Sequence, residues 1–431
     1  MLMSAAIVLV AVTPAMKTVP AVVIPVVPVV AIAALAAVVE IVEIPEETVA
    51  GIVESDKFMK KQYIYLAIGL AVFVLVVIYF FIPRENAVDV FNKEYKEALK
   101  SLYAEKNNEV FSKIEKLIGS APTPEAEAKA KILTAFASND NSKSISLFKE
   151  VAGDSTYPSF LRADAAAAMA DFFMLGSHGS STLASQIFSS EPYVSFAITK
   201  SGRKNYSLGA RKLYEYASSI YVIPWAEYRI AEWYLKNAIL SKLYKIKTVD
   251  TDENYTTKAE AHILKGDLAL EKYNREGGIK LYSGYANWIK GFDQAMLWEL
   301  KGQEVNRNEA ETMFKAALND LDDGKFGKFA IGQKIWANFQ YSSFVARTYG
   351  VNRKDDILKL NSYVTTDSHR YVDEEKKLLY GLHKYMFRLG SIAVTNIQER
   401  YDYESAKVIA RVDPNFRDYL RQLGWKDEVF K

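Results

Sequence analysis

Beyond residue 85 apolar side chains recur every three or four positions, with polar breaks between the runs, and that spacing predicts helix, turn, helix almost throughout. Val88, Phe91, Tyr95 and Leu99 make one stripe; Asn107-Asn108 breaks it; Val110, Phe111, Ile114, Leu117 and Ile118 resume it before Gly119. Thr123 and Pro124 read as an N-cap and first-turn pair, with Glu125 and Glu127 at the positive end of the helix dipole and Ala128, Ile132, Ala135 and Phe136 facing inward. After a turn at 139–141, Ser142 is suited to cap a helix striped by Ile145, Phe148 and Val151 and stopped by Gly153. A further helix is expected over Ser159–Leu175, ending at Gly176.

Residues 176–203 and 248–257 are polar and irregular in pattern and read as long loops. Between them Tyr221–Tyr244 forms a long helix bearing Trp225, Tyr228, Trp233 and Tyr234. Tyr282, Tyr285, Trp288 and Phe292 mark another aromatic region. Helices continue past Phe326, with Pro414, Phe416, Tyr419 and Leu420 on a terminal one that caps the rest.

One pattern returns. Ser144, Phe148, Val151 and Pro158 have the spacing of Ala210, Tyr214, Ala217 and Pro224, and Ala310, Phe314 and Ala317 repeat it without the proline. A small residue admits the neighbouring helix, and an aromatic four positions on fills the space between hairpins. The chain thereby resembles the tetratricopeptide-repeat family, whose hairpins carry a small–aromatic–small signature in their second helix; Leu264, Gly266 and Leu270 approximate the first-helix signature. The resemblance implies an all-α fold, a helical-hairpin solenoid over 86–325 with a C-terminal helical region at 326–431, and an extended face for protein partners.

The amino-terminal part has a different pattern. Tyr63–Ile82 is twenty residues without a charge, fourteen of them Leu, Ile, Val or Phe. Their insertion free energies sum to roughly −4 to −8 kcal/mol. As a helix the run covers about 30 Å, a hydrocarbon core's thickness, so a transmembrane helix is expected at 63–82. Upstream, residues 18–39 are apolar but interrupted by Pro20, Pro25 and Pro28. For the apolar stretches of 1–62 a leader, an additional membrane segment and an Ala/Val/Pro-rich tail remain open, and the region closes on an acidic linker, Glu40–Gln62. Lys57, Lys60 and Lys61 favour a cytoplasmic N-terminus for a single span, which puts the large C-terminal part outside the cytoplasm, in the periplasm.

Charge and composition narrow the chemistry. Residues 1–62 carry four lysines against six acidic groups, and the remainder 50 basic against 46 acidic. No basic field of the kind nucleic acid requires is present, so no nucleic-acid partner is expected. The absence of cysteine removes disulfides, thiolate metal sites and cysteine nucleophiles. His178, His262, His369 and His383 lack the spacing of a helical zinc pair. Asp320, Asp322, Asp323 and Gly324 resemble a calcium loop, but the glycine is one position early and Ile331 stands where the bidentate Glu belongs. Ser146 and Lys149 have S-x-x-K spacing without a partner motif, and no phosphate loop, dinucleotide fingerprint or nucleophile elbow occurs. Acidic pairs such as Glu309 with Glu311, and Glu374 with Glu375, occupy polar helix positions.

No catalytic, cofactor-binding or metal residues are therefore assigned, no cofactor is expected, and the partner-binding residues are unknown. The expected function is that of a membrane-anchored adaptor, scaffold or chaperone-like protein that binds proteins at a bacterial cell envelope. Its partners are the lipid bilayer, through Tyr63–Ile82, and proteins of membrane complexes. An accessory subunit of a large membrane complex is the alternative. A helical hydrolase or lyase is a third; it would need two convergent carboxylates with shifted protonation in one pocket.

Overall fold

The computed structural model describes residues 86–430 apart from 104–106, 139, 172, 174–180, 247–253, 277–283, 323–330, 368–379 and 392–396, with Gly69 and Val72 besides. The expected span Tyr63–Ile82 lies outside the described residues except for those two positions, as do the segment at 18–39 and the acidic linker. Among the described residues no helix is long and apolar enough to cross a membrane. The chain divides into two units, 1–89 and 90–431, and the second is the one whose architecture follows.

The described residues are all-α. Successive helices are α1 (Ala87–Tyr103), α2 (Asn107–Gly119), α3 (Pro124–Ala137), α4 (Asn141–Gly153), α5 (Ser159–Asp171), α6 (Ser181–Ile187), α7 (Tyr193–Phe196) and α8 (Tyr206–Ile220). There follow α9 (Pro224–Lys242), α10 (Tyr255–Glu276), α11 (Tyr285–Lys301), α12 (Glu304–Asp322) and α13 (Ile331–Tyr349). The last are α14 (Lys354–Ser362), α15 (Tyr380–Ser391), α16 (Ile397–Val412) and α17 (Pro414–Gln422). Neighbours in sequence are mostly neighbours in space: α2 packs on α3, α3 on α4, α4 on α5, α8 on α9, α9 on α10 and α11 on α12. Next-but-one contacts join α3 to α5, α9 to α11 and α11 to α13.

Local chemistry sets the helix ends. Thr123 caps α3 as expected, its hydroxyl accepting from the Ala126 amide at 3.1 Å with Pro124 in the first turn. At α4 the cap is Asp140 instead of Ser142; its carboxylate accepts from the Ser142 amide at 2.8 Å, because a carboxylate one residue outside the helix reaches the free amides better than a hydroxyl inside it. The expected helix from Ser159 is described to Asp171, and Gly176 lies outside the described residues. The polar stretch 176–203, read as a loop, contains α6 and α7. Leu183, Ala184 and Ile187 bury one short face there while Ser185 stands exposed on the other, which hides the periodicity.

The repeated positions behave alike. Ser144, Phe148, Val151, Ala210, Tyr214, Ala217, Ala310, Phe314 and Ala317 are all buried. A first core cluster is built from Phe91, Ala98, Ile114, Leu117 and the inner residues of α3; a second, much larger one runs from Ala128 to Trp425. Alanines at 163, 165–168 and 170 make α5 thin enough for α4 and α8 to approach it closely. Gly266 does the same for α10: a Cβ there would meet the Tyr228 ring at 2.6 Å and the Pro224 carbonyl at 3.0 Å.

Helix α9 departs from pairwise stacking. From Pro224 to Leu240 every residue except Trp225 is buried. It packs against α8, α10 and α11, and also against α16 from the far end of the sequence. A helix surrounded in this way has to bury its polar positions too.

Candidate functional site

Those polar positions form a concentration of ionisable groups in the interior. Arg229, Glu232 and Lys236 stand three and four residues apart, on one side of α9. Arg229 pairs with Glu232, and Lys236 pairs with the other oxygen of Glu232 at 2.9 Å. Beyond Arg229 lies Asp171 at the end of α5, 3.7 Å from its Nε, and beyond Lys236 lies Asp402 of α16, also at 3.7 Å. The result is a ladder of alternating charge: Asp171, Arg229, Glu232, Lys236, Asp402.

Tyrosines complete it. Tyr214 of α8 and Tyr285 of α11 donate to the two oxygens of Asp171 at 2.5 and 2.6 Å, and Arg229 donates to the Tyr285 hydroxyl at 2.9 Å. Tyr385 of α15 donates to Asp402 at 2.8 Å. Arg229 also lies over the rings of Tyr285 and Trp288, and Lys236 over Phe292 and Tyr401, so each cation is held by π faces as well as carboxylates. A second knot adjoins the first: Tyr401 donates to Glu299 at 3.0 Å, and Arg347 reaches Glu299, the Tyr244 hydroxyl and Ser405.

The electrostatics follow from burial and pairing. Burial alone raises the Glu232 carboxyl, but Lys236 and Arg229 outweigh it and hold it at about 2. Burial pushes Asp171 and Asp402 above the usual carboxylate range against the opposing pull of Arg229 and Lys236. Asp293 of α11 differs in kind. It is fully buried, neither carboxyl oxygen has a hydrogen-bond partner, and burial together with the Glu232 charge pushes it well above its ordinary value. Four carboxyls thus face two cations, and burial with the Glu232 charge favours the protonated form of the one without a hydrogen-bond partner, Asp293.

The residues singled out from sequence fall elsewhere. Trp225 and Tyr228 serve packing: Tyr228 is buried and donates to Asp267 at 2.7 Å, while Trp225 stands edge-on to Tyr214 and Tyr285. His262 pairs through Nδ1 with the buried Glu227 at 2.6 Å and stacks on Tyr234; His178 and His369 lie outside the described residues, as does the side chain of His383. Ser146 is exposed, and Lys149 turns away from it to donate to the Gln186 carbonyl and to Ser189 and Ser190. Glu309 pairs with Lys290, and Glu311 with Lys315 and Arg353; Glu374 and Glu375 lie outside the described residues. Asp323 and Gly324 of the calcium-like run lie outside them too. Among the described residues no group of three or more metal-ligating side chains is placed to hold a metal ion.

No sequence motif marks the ladder. Its only trace in the sequence is Arg229, Glu232 and Lys236 at helical spacing within an otherwise apolar and aromatic helix, where a solvated face has no room. Chemically the arrangement ties together six helices, α5, α8, α9, α11, α15 and α16. Its groups are turned on one another inside the core. Comparisons with protein-family models, with curated proteins and with solved structures found no match.

Proposed function

We propose that this chain is a membrane-tethered helical scaffold whose paired helices, stacked in the manner of tetratricopeptide repeats, hold protein partners beside a bacterial envelope membrane. The observation that carries the proposal is the common burial of the nine small–aromatic–small positions at 144–151, 210–217 and 310–317, which gives three separate helices one packing role. The charge-free run Tyr63–Ile82 supplies the tether, and the lysines before it favour a periplasmic location for the helices. Confinement by such a tether raises the local concentration of the binding surface near membrane complexes. The interior ionisable groups support a structural role, since Arg229, Glu232 and Lys236 are consumed by their own pairing. An enzyme built on Glu232 and Asp293 would need a path for substrate to two buried carboxyls.

The test is carried out on the full chain in a bacterial host. Carbonate-washed membranes retain it, deletion of residues 63–82 releases it, and protease added outside the inner membrane digests the helical part. Gentle solubilisation and reciprocal affinity capture return a recurrent membrane-complex protein. A soluble full-length chain overturns the tether, and recovery of this chain alone overturns the scaffold.

A further inference from the structure

Helix α10 is the longest of the described helices, and α9 is its principal neighbour. Its outward face carries Leu264 at 59% and Leu268 at 76% exposure. Thr257, Ala261, Leu264, Leu268, Glu271 and Arg275, alternating by four and three residues, are all exposed and share that face. Along one edge of the stripe run Lys258, Lys265 and Lys272, seven residues apart; along the other run Glu260 and Asp267, again seven apart. This is the layout of a two-stranded coiled-coil seam, with Ala261 and Leu268 at a, Leu264 at d, lysine at every e and acid at g.

We propose that α10 pairs in parallel with α10 of a second copy of this chain, Leu264 against Leu264 and Leu268 against Leu268 across a two-fold axis along the helices. Charge selects both the partner and the direction. In a parallel pair each g residue meets the e residue five positions on in the other chain, so Glu260 faces Lys265 of the second copy and Asp267 faces its Lys272. An antiparallel pair sets the lysine rows against each other. A second copy presents acid and base at the matching heights without further requirement.

Within its own chain each flanking charge has a partner yet keeps an outward surface. Lys265 pairs with Glu227 at 2.6 Å and remains 47% exposed. Asp267 accepts from Tyr228 and Lys290 at 36% exposure, and Glu260 pairs with Lys301 at 42%. A carboxylate has lone pairs for a second donor. The apolar part is short, because Glu271 and Arg275 occupy the seam beyond Leu268 and bridge each other at 3.9 Å. The pair is therefore weak between free chains and strong between chains confined to one surface; that strengthening, unlike the pairing geometry, rests on the proposed tether.

The chain has no cysteine, so Leu264→Cys introduces a single thiol. In membranes holding the full chain, mild oxidation is expected to yield a disulfide-linked dimer from Leu264→Cys alone and from Leu268→Cys alone, while Ser146→Cys on the exposed face of α4 stays monomeric. Adding Leu268→Lys to the Leu264→Cys chain is expected to cut cross-linking about tenfold, the equivalent of about one apolar side chain's burial. Its melting temperature stays unchanged, because Leu268 is 76% exposed in its own chain. Lys272→Glu slows cross-linking severalfold at low salt and little at high salt. A cross-link that forms only when Leu264→Cys and Leu268→Cys chains are mixed overturns the parallel register. An adduct with a different protein, or an equal yield from Ser146→Cys, overturns self-pairing. Cross-linking of chains that fail to sediment with membranes leaves the pairing standing and removes the tether.

Discussion

Glu232 is the residue on which the interior depends, since it neutralises two buried cations at once. Glu232→Gln leaves Arg229 and Lys236 under-compensated and is expected to cost about 3–5 kcal/mol in urea unfolding at neutral pH. Its folded value of about 2 lies below the ordinary 4.5, so the stability it supplies is complete above 4.5 and is lost as pH falls toward 2. Asp293 has the opposite sign. Raised well above 3.8, it keeps a proton in the folded chain that the unfolded chain releases, so its contribution to stability falls as pH rises above about 4. Asp293→Asn removes that slope: compared with the unaltered chain, the variant gains stability as pH rises above 3.8. Parallel stability curves for the two would contradict a protonated Asp293. Neither role was legible from residue type. The Arg229, Glu232 and Lys236 spacing shows only that three charges share a side of one helix, and nothing near Asp293 in sequence marks it as lacking partners.

Elements were the more readable level, because helix periodicity is written locally and packing partners are not. The stripes of α1 to α4, the Thr123 cap and the terminal helix at Pro414 follow from spacing and cap chemistry alone. The cap at Asp140 was displaced by one strong acceptor beside another, and α6 was hidden by serine on its outer face. The repeated positions carry the clearest consequences. Phe148→Ala and Phe314→Ala each open a cavity under a fully buried ring and are expected to cost about 3–5 kcal/mol in thermal or urea unfolding. Tyr214→Phe keeps the ring but strips Asp171 of a donor, at about 1–3 kcal/mol. Gly266→Ala, mild in most helices, forces the Tyr228 ring and the start of α9 outward and is expected to destabilise by about 1–3 kcal/mol. A wild-type melting curve for Gly266→Ala would show that α9 and α10 have slack at their crossing.

At the scale of the whole molecule, residues distant in sequence complete one another. Lys236 has Asp402 near it, and Arg347 hydrogen-bonds to Tyr244 and Ser405. Pattern reading along the chain has no access to such pairs, since hydrophobic spacing fixes which face is inward but not which helix it meets. Truncation after residue 396 removes Asp402, Tyr401 and Ser405 together. It is expected to abolish cooperative unfolding of the remaining helices and to expose α9 to limited proteolysis; retention of a single sharp transition would show that α16 is dispensable to the core. The same contact has a bearing on biosynthesis. A polypeptide leaves the ribosome amino end first, so α9 emerges long before the segment that answers its lysine. The newborn chain must carry an unfinished centre through most of its own translation. Until α16 arrives, Lys236 has the Glu232 carboxylate of its own helix for a counter-charge, and the face of α9 that α16 covers has no lid.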